Sequence, residues 1–184
     1  FNMVQADYDN DDDTDILILR GGWMRDFGRI PNSLLQNNGE GRFTDVTFEA
    51  GLGEANYPTQ TGAWADYDGD GDLDLYIGNE QQIDKERTPS QLFRNNGDGT
   101  FSDVAESSGV ANYAYAKAVV FGDYDNDNFP DIYVSNFGSA NRLYRNNGDG
   151  SFNDIAAHIG VSDPKRSFPT WFWDYDNDGD LDLF

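Results

Sequence analysis

Apolar residues in this chain come in short runs, each closed by a cluster of Asp, Asn or Gly. Short alternating runs read as strands, and the Gly- and Asn-rich breaks between them read as tight turns. Residues 61–104 show the plan in full. Residues 61–65 are a short apolar strand that ends at an Asp-rich loop, and 73–78 alternate in the manner of a half-buried strand. A polar loop over 80–89 follows, then a third strand at 91–95. Asn96, Gly97, Asp98 and Gly99 form a tight turn, with glycines for the positive-φ positions, and 100–104 complete a fourth strand. The predicted unit is a sheet of four antiparallel strands.

That unit repeats. DYDNDDDTDIL begins at Asp7, DYDGDGDLDLY at Asp66, DYDNDNFPDIY at Asp123 and DYDNDGDLDLF at Asp174, at intervals of 59, 57 and 51 residues. Between them a second signature recurs: NNGEGRFTDV from Asn37, NNGDGTFSDV from Asn95 and NNGDGSFNDI from Asn146. Two motifs alternating in fixed order mark a repeat architecture, and four strands at this spacing match a β-propeller blade somewhat longer than the WD40 type. A calcium-binding β-solenoid would repeat every nine residues or so, and a sandwich would not need the same Asp loop four times. The expected fold is therefore all-β, one partial propeller over 1–184, with repeats at 1–52, 60–110, 117–161 and an incomplete 169–184. The chain opens on Phe1 and stops just after the fourth Asp loop, so about three and a half blades of a longer chain are expected.

Composition narrows the chemistry. The chain carries 34 acidic and 12 basic residues, a formal net charge of −22. Nucleic acid and anionic membrane surfaces, both of which need basic patches, are disfavoured as partners. With 13 Phe, 10 Tyr and 4 Trp there is ample material for a packed core, so the acidity does not signal disorder. No apolar run approaches the roughly 20 residues of a membrane helix. The absence of Cys excludes disulfides and thiolate metal sites.

The acidity is concentrated in the four loops. Numbered from the first Asp, positions 1, 3, 5 and 9 are Asp in every copy: Asp7, Asp9, Asp11 and Asp15; Asp66, Asp68, Asp70 and Asp74; Asp123, Asp125, Asp127 and Asp131; Asp174, Asp176, Asp178 and Asp182. Position 7 is Asp13, Asp72, Phe129 and Asp180, and because Phe129 has no side-chain oxygen a main-chain carbonyl is expected to serve there. Position 6 is Asp12, Gly71, Asn128 or Gly179, types that tolerate a left-handed turn and so let successive oxygens converge. Four carboxylates within nine residues repel one another unless a cation sits among them. Hard oxygen ligands in a flexible loop suit Ca²⁺ better than Mg²⁺, which keeps its waters. The pattern is not an EF-hand: position 12, where that loop has a bidentate Glu, is Ile18, Ile77 or Val134. Up to four Ca²⁺, one per loop, are expected, which would bring the net charge from −22 to −14. The recurrent Tyr8, Tyr67, Tyr124 and Tyr175, and Phe43, Phe101 and Phe152, are expected to pack between blades.

The Asp loop together with the Asn-Asn-Gly-Asp-Gly-x-Phe turn resembles the FG-GAP/VCBS repeat of integrin α-chain propellers. ADYDGDGDLDLYIGN and LFRNNGDGTFSDVAESSGV are most similar to the repeats found with ASPIC/UnbV domains and in cartilage acidic protein. The resemblance implies Ca²⁺ at the Asp positions, a ring of about seven blades, and a secreted, periplasmic or cell-surface setting.

In a blade of consecutive hairpins, Asp loops and Asn-Asn-Gly turns share one face. The opposite face receives the connections 21–32, 53–60, 80–90, 111–116, 136–141 and 162–169, which carry Trp23, Arg25, Arg29, Tyr57, Lys85, Arg87, Tyr113, Tyr115, Lys165 and Arg166. Variable loops on a rigid scaffold are where binding usually resides. The expectation is a non-catalytic, calcium-dependent scaffold for protein or glycan binding or adhesion, its partner held on the face opposite the Asp loops. The alternatives are the propeller part of a carbohydrate-active enzyme of the polysaccharide-lyase kind, or a structural subunit of a surface layer or filament that self-associates through open blade edges. The single His158 lies among small and apolar residues, without a nucleophile, base and orienter pattern around it.

Overall fold

The computed structural model describes residues 2–81 and 87–184. Among the described residues, three four-stranded antiparallel sheets and one two-stranded hairpin follow one another. The first sheet comprises β1 (Asn2–Ala6), β2 (Asp15–Leu19), β3 (Ser33–Asn37) and β4 (Phe43–Asp45). The second comprises β5 (Thr59–Ala65), β6 (Asp74–Asn79), β7 (Gln91–Asn95) and β8 (Phe101–Asp103), followed by a one-turn helix α1 (Ala105–Ser108). The third comprises β9 (Ala116–Gly122), β10 (Asp131–Asn136), β11 (Arg142–Asn146) and β12 (Phe152–Asp154), followed by α2 (Ala156–Ile159). The hairpin pairs β13 (Phe172–Trp173) with β14 (Asp182–Leu183). Strand order is sequential within every sheet, as propeller blades require.

The first strands lie side by side, β1 against β5 and β5 against β9, so the blades stack face to face. The core is therefore between blades. Leu17, Leu19 and Leu34 of the first sheet pack on Leu75, Ile77 and Phe93 of the second. Tyr76 and Leu92 of the second pack on Ile132, Val134 and Tyr144 of the third. This corrects the expectation for residues 73–78. Alternation of apolar and polar side chains predicts one wet face, yet every residue of β6, and of β10, is buried. A neighbouring blade covers each side, and the polar partners are met internally: the Tyr76 hydroxyl donates to the carbonyl of Val110, and the Tyr133 hydroxyl to that of Val161.

The repeated aromatics do pack across blade junctions. Tyr8 meets Phe101 at 5.7 Å and Tyr67 meets Phe152 at 5.6 Å between ring centroids. Phe43 and Tyr175, on the outer sides of the first and last sheets, are exposed. The helices α1 and α2 are additions that strand periodicity does not show. Each ends at a glycine with positive φ, Gly109 or Gly160.

Candidate metal centre

Each Asp loop joins the first two strands of its blade and is shaped by its own carboxylates. The position-1 carboxylate accepts main-chain amides from across the loop: Asp7 those of Asp11 and Asp12, Asp123 those of Asp127 and Asn128, Asp174 those of Asp178 and Gly179. Asp66 accepts three, from Gly69, Asp70 and Gly71. At position 5, Asp11, Asp70, Asp127 and Asp178 each accept the amide two residues on. Position 6 has positive φ in all four loops, as expected. So does position 4, Asn10, Gly69, Asn126 and Asn177, a second left-handed turn that residue types alone left open.

Position 9 is different. Asp15, Asp74 and Asp131 lie at the start of the second strand and are fully buried. One oxygen of each accepts the amide of the position-2 Tyr, and the other accepts the first Asn of the Asn-Asn-Gly turn, Asn37, Asn95 or Asn146. This carboxylate locks the Asp loop to the turn beside it. The two motifs alternate in sequence because they are hydrogen-bonded partners in space. The side chains of Asn95 and Asn146 also reach across the junction to donate to the carbonyls of Tyr8 and Tyr67 in the preceding blade.

Position 7 turns outward. Asp72 accepts a hydrogen bond from Asn10 of the previous loop, and Asp180 one from Asn126, each at 2.7 Å. At the middle junction position 4 is Gly69, which has no side chain to donate, and the facing position 7 is Phe129, which rests against Gly148. Asp13 sits similarly against Gly39. A side chain engaged with a neighbour is compatible with a position that would offer a metal only its carbonyl.

Carboxylate oxygens converge in every loop. Asp7, Asp9 and Asp15; Asp66, Asp68 and Asp70; Asp123, Asp125 and Asp127; and Asp174, Asp176 and Asp182 each bring three oxygens within 4.8 Å of one another. Oxygens at 2.3–2.6 Å from one Ca²⁺ lie no more than about 5 Å apart, so each trio fits a shared hard cation. The position-3 carboxylate supplies the sharper test. In Asp9, Asp68 and Asp125 the same atom, Oδ1, is buried without any hydrogen-bond partner. A desolvated anionic oxygen left unpaired three times at one repeat position is costly unless a cation meets it. The donor set therefore fits Ca²⁺, which positions 1, 3 and 5, with 9 and the position-7 carbonyl, would hold.

Burial and neighbouring carboxylates act against ionisation here. Burial raises the Asp74 carboxyl to about 7, against the pull of the Asn95 and Tyr67 amides, with Asp68 and Asp70 adding to the rise. Asp131 is raised to about 6 for the same reasons. A folded-state value above the unfolded 3.8 means that the metal-free fold holds its proton longer than the unfolded chain. Its stability from these groups is thus present at low pH and lost as pH rises towards 7. A Ca²⁺ held by these carboxylates would have to displace those protons. Its apparent affinity is expected to fall as pH drops from 8 to 5, with proton release on binding near pH 6. Calorimetry in buffers of different ionisation enthalpy measures this, and equal affinity at both pH values would refute it.

At the other end of the strands the connections bring together residues distant in sequence. Trp23 follows β2, Phe137 follows β10, Tyr115 precedes β9 and Phe168 lies before β13. Trp23 is near-parallel to Phe168, with centroids 6.0 Å apart and 14° between planes. Tyr115 meets both Trp23 and Phe137, and Phe137 meets Phe168. Trp23 is 59% exposed, Phe168 42% and Phe137 39%. Beneath them lies an ion pair that sequence reading missed: Glu80 and Lys117, both buried. Lys117 Nζ is 3.3 Å from the Trp23 ring centroid and 4.1 Å from that of Tyr115. Glu80 also accepts the Trp23 amide at 2.7 Å and the Tyr115 hydroxyl at 2.9 Å. Trp23 and Arg25 both have positive φ, an uncommon state for such side chains that the surroundings must enforce. Lys165 and Arg166 are exposed near Phe168, and Arg87 lies over Tyr113, whereas Lys85 is outside the described residues. Arg29 is exposed and Tyr57 partly so. His158 sits exposed on α2, its side chain part of neither site.

Cartilage acidic protein 1 from Xenopus tropicalis and from Homo sapiens is 37% identical over 106 residues, covering 55% of this chain and 16% of the relative. The Mus musculus protein is 36% identical over 110 residues. The alignments thus span about one sixth of those relatives. A solved Agrocybe aegerita lectin that recognises non-reducing terminal N-acetylglucosamine has a TM-score of 0.58 at 19% identity, over 99% of this chain and 46% of its own, and so shares the fold. The FG-GAP-like repeat model matches residues 6–77, 83–134 and 123–184, nearly the whole chain, and the protein belongs to the FG-GAP-like repeat family.

Proposed function

We propose that this chain is a non-catalytic, calcium-stabilised propeller scaffold that works outside the cytosol and binds a glycan or protein on the face opposite its Asp loops. Extracytoplasmic calcium is plentiful enough for loop sites of modest affinity. The observation that carries the binding role is the cluster of exposed Trp23, Phe137 and Phe168 around half-buried Tyr115, supplied by four separate connections, with Trp23 and Tyr115 held on the Glu80–Lys117 pair. Exposed rings gathered in one patch are ready for a ligand, and aromatic anchors with arginine nearby are the usual hot spots of recognition. Basic side chains are scarce on this chain, and Arg25, Lys165 and Arg166 all lie on this face.

The lectin of like fold makes N-acetylglucosamine-terminated oligosaccharides the first ligands to try. Titration followed by tryptophan fluorescence should show saturable binding. The double variant Trp23→Ala/Phe168→Ala should lose about 2 kcal/mol or more, roughly thirtyfold in Kd, with its calcium-dependent melting unchanged. Equal binding by the variant would place the ligand site elsewhere.

A further inference from the structure

The residue just before each Asn-Asn-Gly turn faces the position-3 Asp of its own blade. In the first blade it is Gln36, whose Nε2 donates to Asp9 Oδ2 at 2.6 Å. In the third it is Arg145, whose Nε donates to Asp125 Oδ2 at 2.7 Å while its second nitrogen lies 3.5 Å from Asp127. In the second it is Arg94, which lines one cleft with Asp68. In Asp9 and Asp125 this contact ties down Oδ2 and leaves Oδ1 as the buried, unpartnered atom. Outer groups of this kind orient metal ligands and tune the site. Here they differ in charge.

The loops differ as well, and in the same sense. The first has six carboxylates, Asp7, Asp9, Asp11, Asp12, Asp13 and Asp15, and a neutral Gln36. The second has five, with Arg94 beside them. The third has four, Asp123, Asp125, Asp127 and Asp131, and Arg145 bonded among them. Calcium affinity in oxygen-ligand loops is set largely by charge count and rigidity. A guanidinium within 4 Å of two ligand carboxylates opposes a divalent cation and competes for their lone pairs.

We propose that Gln36, Arg94 and Arg145 are positioning residues that grade the calcium affinity of their loops, the first loop binding most tightly and the third least. Arg145 acts as a built-in counter-ion that keeps the third loop closed without metal, while the first loop, having none, depends on the ion for its shape. Rising calcium then fills the blades in order rather than together. This rests on the reading of the Asp loops as calcium sites.

The test is a calcium titration of the whole chain followed by NMR, using the position-6 amides of Asp12, Gly71 and Asn128 as one reporter per loop. The expected order of midpoints is first, second, third. Arg145→Gln should tighten the third loop about tenfold, a figure limited by the partial exposure of Arg145, and Arg145→Lys, which keeps the charge, should leave it weak. Gln36→Arg should weaken the first loop by a similar factor. If the loops titrate but share one midpoint, or the Gln36 and Arg145 variants shift nothing, the grading is overturned while calcium binding stands. If no reporter moves with calcium, the calcium reading itself falls.

Discussion

Removing calcium with EGTA is expected to lower the thermal midpoint of this chain by roughly 5–10 °C for each site that was filled. An ion that binds only the folded loop stabilises by RT ln(1 + [L]/Kd), about 2.7 kcal/mol when calcium is a hundredfold above Kd. For a domain of this size each kcal/mol is worth about 2–4 °C. The structural basis is the buried, unpartnered Oδ1 of Asp9, Asp68 and Asp125 and the oxygens gathered around it. Without a cation the loops are held mainly by main-chain amide hydrogen bonds, with Arg145 as counter-ion in the third, against the mutual repulsion of four to six carboxylates each. Calcium should restore the melt and Mg²⁺ should do so poorly, because Mg²⁺ demands near-octahedral geometry and retains its waters. Scanning calorimetry with and without EGTA decides the matter, and an identical melt in both would defeat it.

Replacing Glu80 by Gln is expected to be the most damaging single change away from the Asp loops. Glu80 receives the Lys117 ammonium, the Tyr115 hydroxyl and the Trp23 amide, and both members of the ion pair are sealed from water. Burial works against the charge on Lys117, which Glu80 counteracts. Removing the carboxylate leaves an uncompensated buried cation, a loss of about 3–5 kcal/mol. The Trp23 loop, tethered by the same carboxylate, should loosen, which quenching of tryptophan fluorescence would detect. The double variant Glu80→Gln/Lys117→Met should recover much of the stability, because a buried pair replaced by apolar volume is often no worse than the pair. Denaturant unfolding of Glu80→Gln, Lys117→Met and the double variant, against the unchanged chain, forms the cycle. A double variant no better than Glu80→Gln would show that Glu80 acts through Tyr115 and Trp23 rather than through Lys117.

Much of this molecule is legible before any coordinates. The period of the Asp and Asn-Asn-Gly motifs gives the blades, and Gln91–Asn95 is a strand in both sequence and structure. The short strands end within a residue or two of expectation, because each is bounded by residues that can only turn. Tyr8 and Phe101 read as junction residues because both recur once per repeat. What escapes the pattern has a common cause. The helices α1 and α2 are single turns, too short to show a helical period. The burial of both faces of β6 depends on two neighbouring blades, which no local alternation records.

The Asp loops divide along the same line. Residue type and spacing alone specify a cluster of carboxylates, left-handed turns at position 6 and a hard-cation donor set, because these follow from nine consecutive residues. Only the tertiary structure shows that Asp15, Asp74 and Asp131 hold the Asn-Asn-Gly turn, that Gln36 or Arg145 secures the position-3 carboxylate, and that position 4 of one loop meets position 7 of the next. The same is true of Glu80, Lys117 and the four rings above them, which come from connections spread over more than a hundred residues. The repeat writes the blade into the chain, since hairpins are local. The packing of one blade on the next decides which polar groups lose their water, and those groups now stand out as the candidate sites.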